Sequence, residues 1–126
     1  GYQTAVLSSL CSKVISVERH GELAKNARGL LEGLGLRNVT VLAGDGTLGR
    51  SEFAPFDAIL VTAGAPEIPR PLKSQLTIGG RLVVPVGNEQ SQELVLLRRT
   101  SETEFSEERF GGCRFVPLLG RFGWKE

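Results

Sequence analysis

Residues 56–69 read FDAILVTAGAPEIP. Ala58, Ile59, Leu60 and Val61 form a short apolar run that continues into Thr62. A run without polar alternation fits a strand covered on both faces. The second half changes character. Ala63, Gly64 and Ala65 are too small to fill a core, and Pro66 and Pro69 bracket Glu67 and Ile68. The stretch therefore reads as a buried strand running into a rigid loop of small residues. In an open α/β sheet, ligands lie beyond the carboxyl ends of the strands, so the chemistry is expected at this loop.

The totals narrow the choices. A chain of 126 residues suits one domain, taken as 1–126. Fifteen basic residues against fourteen acidic give a net charge of +1, which offers no basic excess for nucleic acid. No apolar stretch approaches the roughly 20 residues of a membrane helix, and no signal peptide is visible. Cys11, Cys113 and the single histidine, His20, have no metal-ligand spacing. The cysteines read as buried or half-buried free thiols in a reducing cytoplasm, and no metal is expected.

Around the opening stretch the chain alternates helix and strand. Residues 1–12 read as a helix with Tyr2, Ala5, Val6, Ser9 and Leu10 on one face. Residues 13–18 read as a strand ending in Glu18. Residues 21–35 form a second helix, with Leu23, Ala24, Ala27, Leu30, Leu31 and Leu34 as its buried stripe and Gly35 as its cap. Residues 38–43 are a strand that enters the turn Gly44-Asp45-Gly46, and residues 46–55 a polar connection. After the opening strand, residues 69–76 read as a short helix closed by Gly79-Gly80. Residues 81–86 and 92–99 are strands, residues 102–108 a polar segment, and residues 110–119 hold a last strand, CRFVPLL, antiparallel to its predecessor. The fold class is α/β, with a mostly parallel sheet and a C-terminal antiparallel hairpin.

Two acids can carry ligand chemistry. Glu18 follows a strand where a carboxylate can accept both ribose hydroxyls of a nucleoside, or it caps the next helix or is simply solvated. Asp45 sits between two glycines, where the backbone can approach a ligand. It can accept an exocyclic amine of adenine, or bond its own turn. Placed on neighbouring strand ends, the two converge on one nucleoside. Arg19 and His20 can pack over a purine, or be exposed loop residues. Glu67 would need burial to act as a base, and a shape or gating role fits it better. Arg98, Arg99, Arg109 and Arg114 read as a solvated face, with a substrate carboxylate as the other use of one of them.

Several pieces, in order and spread over nearly the whole chain, resemble the protein-L-isoaspartate O-methyltransferase family. They are Gly1-Tyr2-Gln3-Thr4-Ala5, Val17-Glu18-Arg19, Gly44-Asp45-Gly46, Phe56-Asp57-Ala58-Ile59 and Ala65-Pro66-Glu67-Ile68-Pro69. Gln75-Leu76, Gly79-Gly80-Arg81-Leu82-Val83-Val84-Pro85-Val86-Gly87 and Arg114-Phe115-Val116-Pro117-Leu118 complete the set. The acids alone say only "adenosyl cofactor"; the Ala-Pro-Glu-Ile-Pro loop is the specific piece.

The resemblance implies a Rossmann-like methyltransferase fold. It also implies transfer of a methyl group from S-adenosylmethionine to the α-carboxylate of isoaspartyl residues in damaged proteins, a repair reaction of the cytoplasm. Carried over, Glu18 would hold the ribose of the cofactor, and Asp45 with Gly46 the adenine. Gly1 would be the last glycine of the loop beneath its methionine part, and Tyr2 and Arg19 would be further cofactor-binding residues. Thr62, Ala63, Gly64, Ala65, Pro66 and Glu67 would wall the substrate site. A peptide carboxylate is already an anion at neutral pH, so the reaction asks for alignment and exclusion of water rather than a general base. The family's first strand, its glycine-rich loop and its active-site serine lie upstream of Gly1 in the resemblance. The chain is thus expected to be a fragment lacking an interior strand. Such a fragment would be inactive alone and prone to self-association through the gap. The other readings are a methyltransferase for a small molecule or RNA, and a cofactor-binding module without catalysis. A nicotinamide dehydrogenase fits less well, since the full Gly-x-Gly-x-x-Gly is not in the chain.

Overall fold

The structure, a computed structural model, describes residues 2–125. The chain divides into two compact units, one ending at Gly46 and the other beginning at Thr47.

The first unit is built as helix, strand, helix, strand: α1 (Tyr2–Leu10), β1 (Val14–Glu18), α2 (Gly21–Gly33) and β2 (Val39–Ala43). β1 and β2 pair in parallel from Val14↔Val39 to Glu18↔Ala43. The connection between parallel strands must travel back along the sheet, and α2 is that return. Its end is a Schellman motif: Gly35, at φ +75°, donates to the Glu32 carbonyl, and Leu36 donates to that of Leu31. Ala24 and Leu31 pack on Val41. Asn38 locks the helix α1 end to the start of β2, its amide donating to the carbonyls of Ser8 and Cys11.

The second unit holds a four-stranded sheet in the order β3-β4-β5-β6: β3 (Phe56–Leu60), β4 (Leu76–Gly87), β5 (Gln92–Arg99) and β6 (Phe105–Cys113). β3 runs parallel to β4; β5 and β6 are antiparallel additions. A short helix, α3 (Arg70–Ser74), connects β3 to β4, with Pro71 in its first turn. The core is Leu72, Leu76, Leu82, Val84, Val95 and Leu97 around Ala65. The polar connection of residues 46–55 contains two single turns of 3₁₀ helix, Gly46–Leu48 and Ser51–Phe53.

Four expectations change. The last strand lies earlier than residues 110–119. β6 spans Phe105–Cys113, and most of the segment read as polar belongs to it. Its alternation was hidden because nearly every β6 residue is exposed, so selection for an apolar face is weak there. Gly79-Gly80 does not close α3. Gln75 caps that helix, and the two glycines lie inside β4 where its register with β3 shifts. A Cβ on Gly80 would stand 2.9 Å from the Thr77 carbonyl oxygen and 3.1 Å from that of Phe56. β3 is not covered on both faces: it is an edge of its sheet among the described residues, and Leu60 is 42% exposed. Finally, the helical stripes split. Ala24 and Leu31 are buried as expected, but Tyr2, Val6, Leu10, Leu23, Leu30 and Leu34 face outward. The Gly1 end of the first helix falls outside the described residues.

Full burial of one such aliphatic side chain is worth about 1.5–3 kcal/mol, and truncating it leaves a cavity as well. Leu82→Ala, at a side chain with no exposed surface, should therefore lower unfolding stability by about 2–5 kcal/mol in urea titration. A loss below ~1 kcal/mol would mean the second unit does not depend on this core.

Candidate functional site

The parallel register of β1 and β2 makes the first cluster. Glu18 is the last residue of β1 and lies opposite Ala43, the last residue of β2. The ladder continues one step further, with the Gly44 N–H donating to the Glu18 carbonyl at 2.9 Å. Asp45 follows directly. Both acids are half-buried, at the carboxyl ends of adjacent parallel strands. One oxygen of the Glu18 carboxylate accepts from the His20 N–H at 3.2 Å, and His20 is the residue preceding α2. The backbone at the entry of α2 thus holds the Glu18 carboxylate, without a side-chain cap on the helix itself. Gly46 faces open space, since a Cβ there would meet no atom within 4 Å. Arg19 and His20 are exposed beside it, and Tyr2, first residue of α1, is 86% exposed. Gly1 lies outside the described residues. The open depression lined by Ser12, Lys13, Arg37, Asn38 and Thr40 is at the amino-terminal ends of the same strands, away from the acids.

The second cluster is the loop after β3, in the other unit. Its backbone is held on two sides. On one side Val61 N–H donates to Val83, Ala65 N–H donates to Pro85 at 2.8 Å, and Gly87 N–H donates back to Ala65 at 3.0 Å. On the other, Gly64 N–H donates to Val116 at 2.7 Å, while its carbonyl accepts from Leu118 N–H at 2.8 Å and from the Trp124 indole at 3.0 Å. Gly64, Ala65 and Pro69 are buried; Thr62, Pro66 and Glu67 are exposed. Glu67, on that exposed surface, lacks the burial that a general base would need.

Two of the four candidate arginines, Arg99 and Arg109, are employed structurally, and Arg98 and Arg114 are exposed. Arg99 donates to the carbonyls of Leu76 and Glu102, tying β5 to the start of β4 and to the turn before β6. Arg109 pairs with Glu93 at 2.7 Å across β5 and β6, and that hydrogen bond raises its pKa further above the ordinary value. Cys113 is half-buried, as expected, but Cys11 is exposed. Among the described residues no three His, Cys, Asp or Glu side chains cluster as metal ligands.

The family model for protein-L-isoaspartate(D-aspartate) O-methyltransferase matches residues 1–123. The chain belongs to this family. Proteins named protein-L-isoaspartate O-methyltransferase from Syntrophus aciditrophicus and Syntrophotalea carbinolica are 57% and 53% identical to it. The matches cover 98% and 100% of this chain and 58% of each relative, so the chain spans little more than half of their length. A solved protein-L-isoaspartate O-methyltransferase structure superposes with a TM-score of 0.89 at 33% identity, covering 98% of this chain and 40% of the other. A Plasmodium falciparum methyltransferase, solved with S-adenosyl-L-homocysteine, shares the fold with a TM-score of 0.74 at 24% identity. The fold is the α/β, Rossmann-like one that the motifs implied.

Several residues around the loop escaped the sequence reading. Gln92 is buried against Gly64 and Trp124 bonds the Gly64 carbonyl. Gln75, quoted for the resemblance but given no role there, bridges Arg50 N–H and the Leu48 carbonyl. The available signal was the glutamine that opens β5 and the chain's one tryptophan. Because Ala65 is fully buried with both backbone groups engaged, Ala65→Leu should overpack the loop and cost about 1–3 kcal/mol. A thermal melt followed by Trp124 emission reads this, and an unchanged midpoint would refute the tight placement.

Proposed function

We propose that this chain is the S-adenosylmethionine-binding body of an isoaspartyl methyltransferase, 1–126 forming one functional domain. The carrying observation is the register that sets Glu18 and Asp45 on adjacent strand ends. The donor set fits an adenosyl group. One carboxylate suits paired ribose hydroxyls, a second suits an exocyclic amine, and open space at Gly46 admits a flat base. Glu18 would hold the ribose, Asp45 and Gly46 the adenine, and Gly1 the region of the methionine part, with Tyr2 and Arg19 as further cofactor-binding residues. When bound, S-adenosylmethionine supplies an electrophilic methyl group.

The chain's own contribution is then alignment. The substrate α-carboxylate of an isoaspartyl residue is an anion at neutral pH and needs no base. A wall of Thr62, Ala63, Gly64, Ala65, Pro66 and Glu67 would let a peptide backbone approach closely, and the main chain pinned at Gly64 and Ala65 resists displacement. Glu67 shapes the rim. The family and relative names support damaged proteins as the partners. No described helix is long and apolar enough to cross a membrane, and two free thiols suit a cytoplasmic setting.

Hydrogen bonds to charged groups are worth about 1.5–3 kcal/mol. Glu18→Ala and Asp45→Ala should each weaken S-adenosylhomocysteine binding by about 10- to 100-fold in calorimetric titration. Unchanged affinity in both would refute this site. The open β3 edge should also favour self-association. Sedimentation velocity should show concentration-dependent oligomers, and a monomer at all concentrations would refute edge pairing.

A further inference from the structure

Gln92 opens β5 and is only 3% exposed. The sheet does not need its amide, because β4 and β5 already pair there through Gly87↔Gln92. Both ends of the side chain are nevertheless used. Nε2 donates to the Asn88 carbonyl at 2.6 Å, and Oε1 accepts from the Phe115 N–H at 2.8 Å. The Asn88 turn is itself stiffened, its Oδ1 accepting from Gln90 and Ser91 N–H at 2.9 Å each. Gly64 lies against the same amide: a Cβ on Gly64 would stand 2.7 Å from Gln92 Cδ. One neutral side chain thus joins the turn after β4, the small-residue loop and the segment after β6. Val116, next to the bonded Phe115 and 72% exposed, stands beside Gly64 on this joined surface.

We propose that Gln92 is a positioning residue for the isoaspartyl peptide: it fixes the 62–67 wall against the 114–118 segment so that the peptide docks in one register. The role rests on the methyltransferase reading above. A glutamine can do this where few residues can. It donates at one end and accepts at the other, and its neutral amide sets no charge beside an anionic substrate. An apolar residue of equal volume would keep the packing but leave the Phe115 N–H and the Asn88 carbonyl unpaired. The wall and the segment would then shift independently, and small misplacements are costly where reacting atoms must align.

The test uses this chain, with S-adenosylhomocysteine binding read by calorimetry. Binding of a short peptide bearing one isoaspartyl residue is read by Trp124 emission, since that indole donates to Gly64. Gln92→Met preserves volume and removes both bonds. Gly64→Ala displaces the amide from the other side. Each should weaken peptide binding by about tenfold while leaving cofactor affinity within about twofold, and the double variant should lose no more than the worse single, because both break one link. Unchanged peptide affinity in Gln92→Met, additive losses in the double variant, or peptide and cofactor affinity falling together would overturn the proposal. A wild-type chain that takes up neither ligand overturns the methyltransferase reading and this inference with it. A wild-type chain that binds both, with variants that match it, overturns the role of Gln92 alone.

Discussion

The backbone of Gly64 and Ala65 is hydrogen-bonded on two sides at once, to Pro85 and Gly87 of β4 and to Val116 and Leu118 of the C-terminal segment. That double engagement is possible only for small residues. Ala65 has no exposed surface, and any side chain on Gly64 would run into Gln92. The rest of the second unit is arranged to deliver partners to these two residues. β4 is long enough to continue past the end of β3, and β5 and β6 turn the chain back so that residues 114–118 come alongside. A loop in this position would ordinarily be mobile. Here Gly64 and Ala65 at its centre are bonded through both of their backbone groups.

The first unit meets a different demand with a similar economy of residue types. Its parallel pair ends in register, so Glu18 and the turn to Asp45 emerge side by side without any special loop. The return helix α2 begins three residues beyond Glu18, and the N–H preceding it bonds the carboxylate. One short βαβ unit therefore makes both acids and holds one of them.

Much of this was readable in the sequence. β-branched runs ending in an acid, glycines at the helix end and the turn, and the strand-to-proline transition at residues 56–69 are local signals, set by backbone sterics and side-chain propensity. They placed β1, β2, β3, β5, α2 and the candidate residues close to where they stand. What failed was what locality does not encode. β6 reads as polar because it is exposed on nearly every residue, so no alternation marks it. Gly79-Gly80 looks like a helix stop, yet it serves a register shift between β3 and β4 that depends on a strand twenty residues earlier. The leucines at 23, 30 and 34 satisfy helical periodicity as well as Ala24 and Leu31 do, and periodicity alone could not say which of them are covered.

The sequence by itself determined the α/β class and the family likeness, and it nominated the two acids, because each depends on residue type and short-range spacing. Only the tertiary structure decided that Glu18 also bonds the entry of α2, and that Gly64 is held by the C-terminal segment while its neighbour Ala65 is held by β4. It alone showed that Gln92, an unremarked polar residue at the start of β5, joins three segments. The bonds from Phe115 to Gln92 and from Trp124 to Gly64 span 23 and 60 residues, and a buried polar side chain declares its purpose only when its partners are in place.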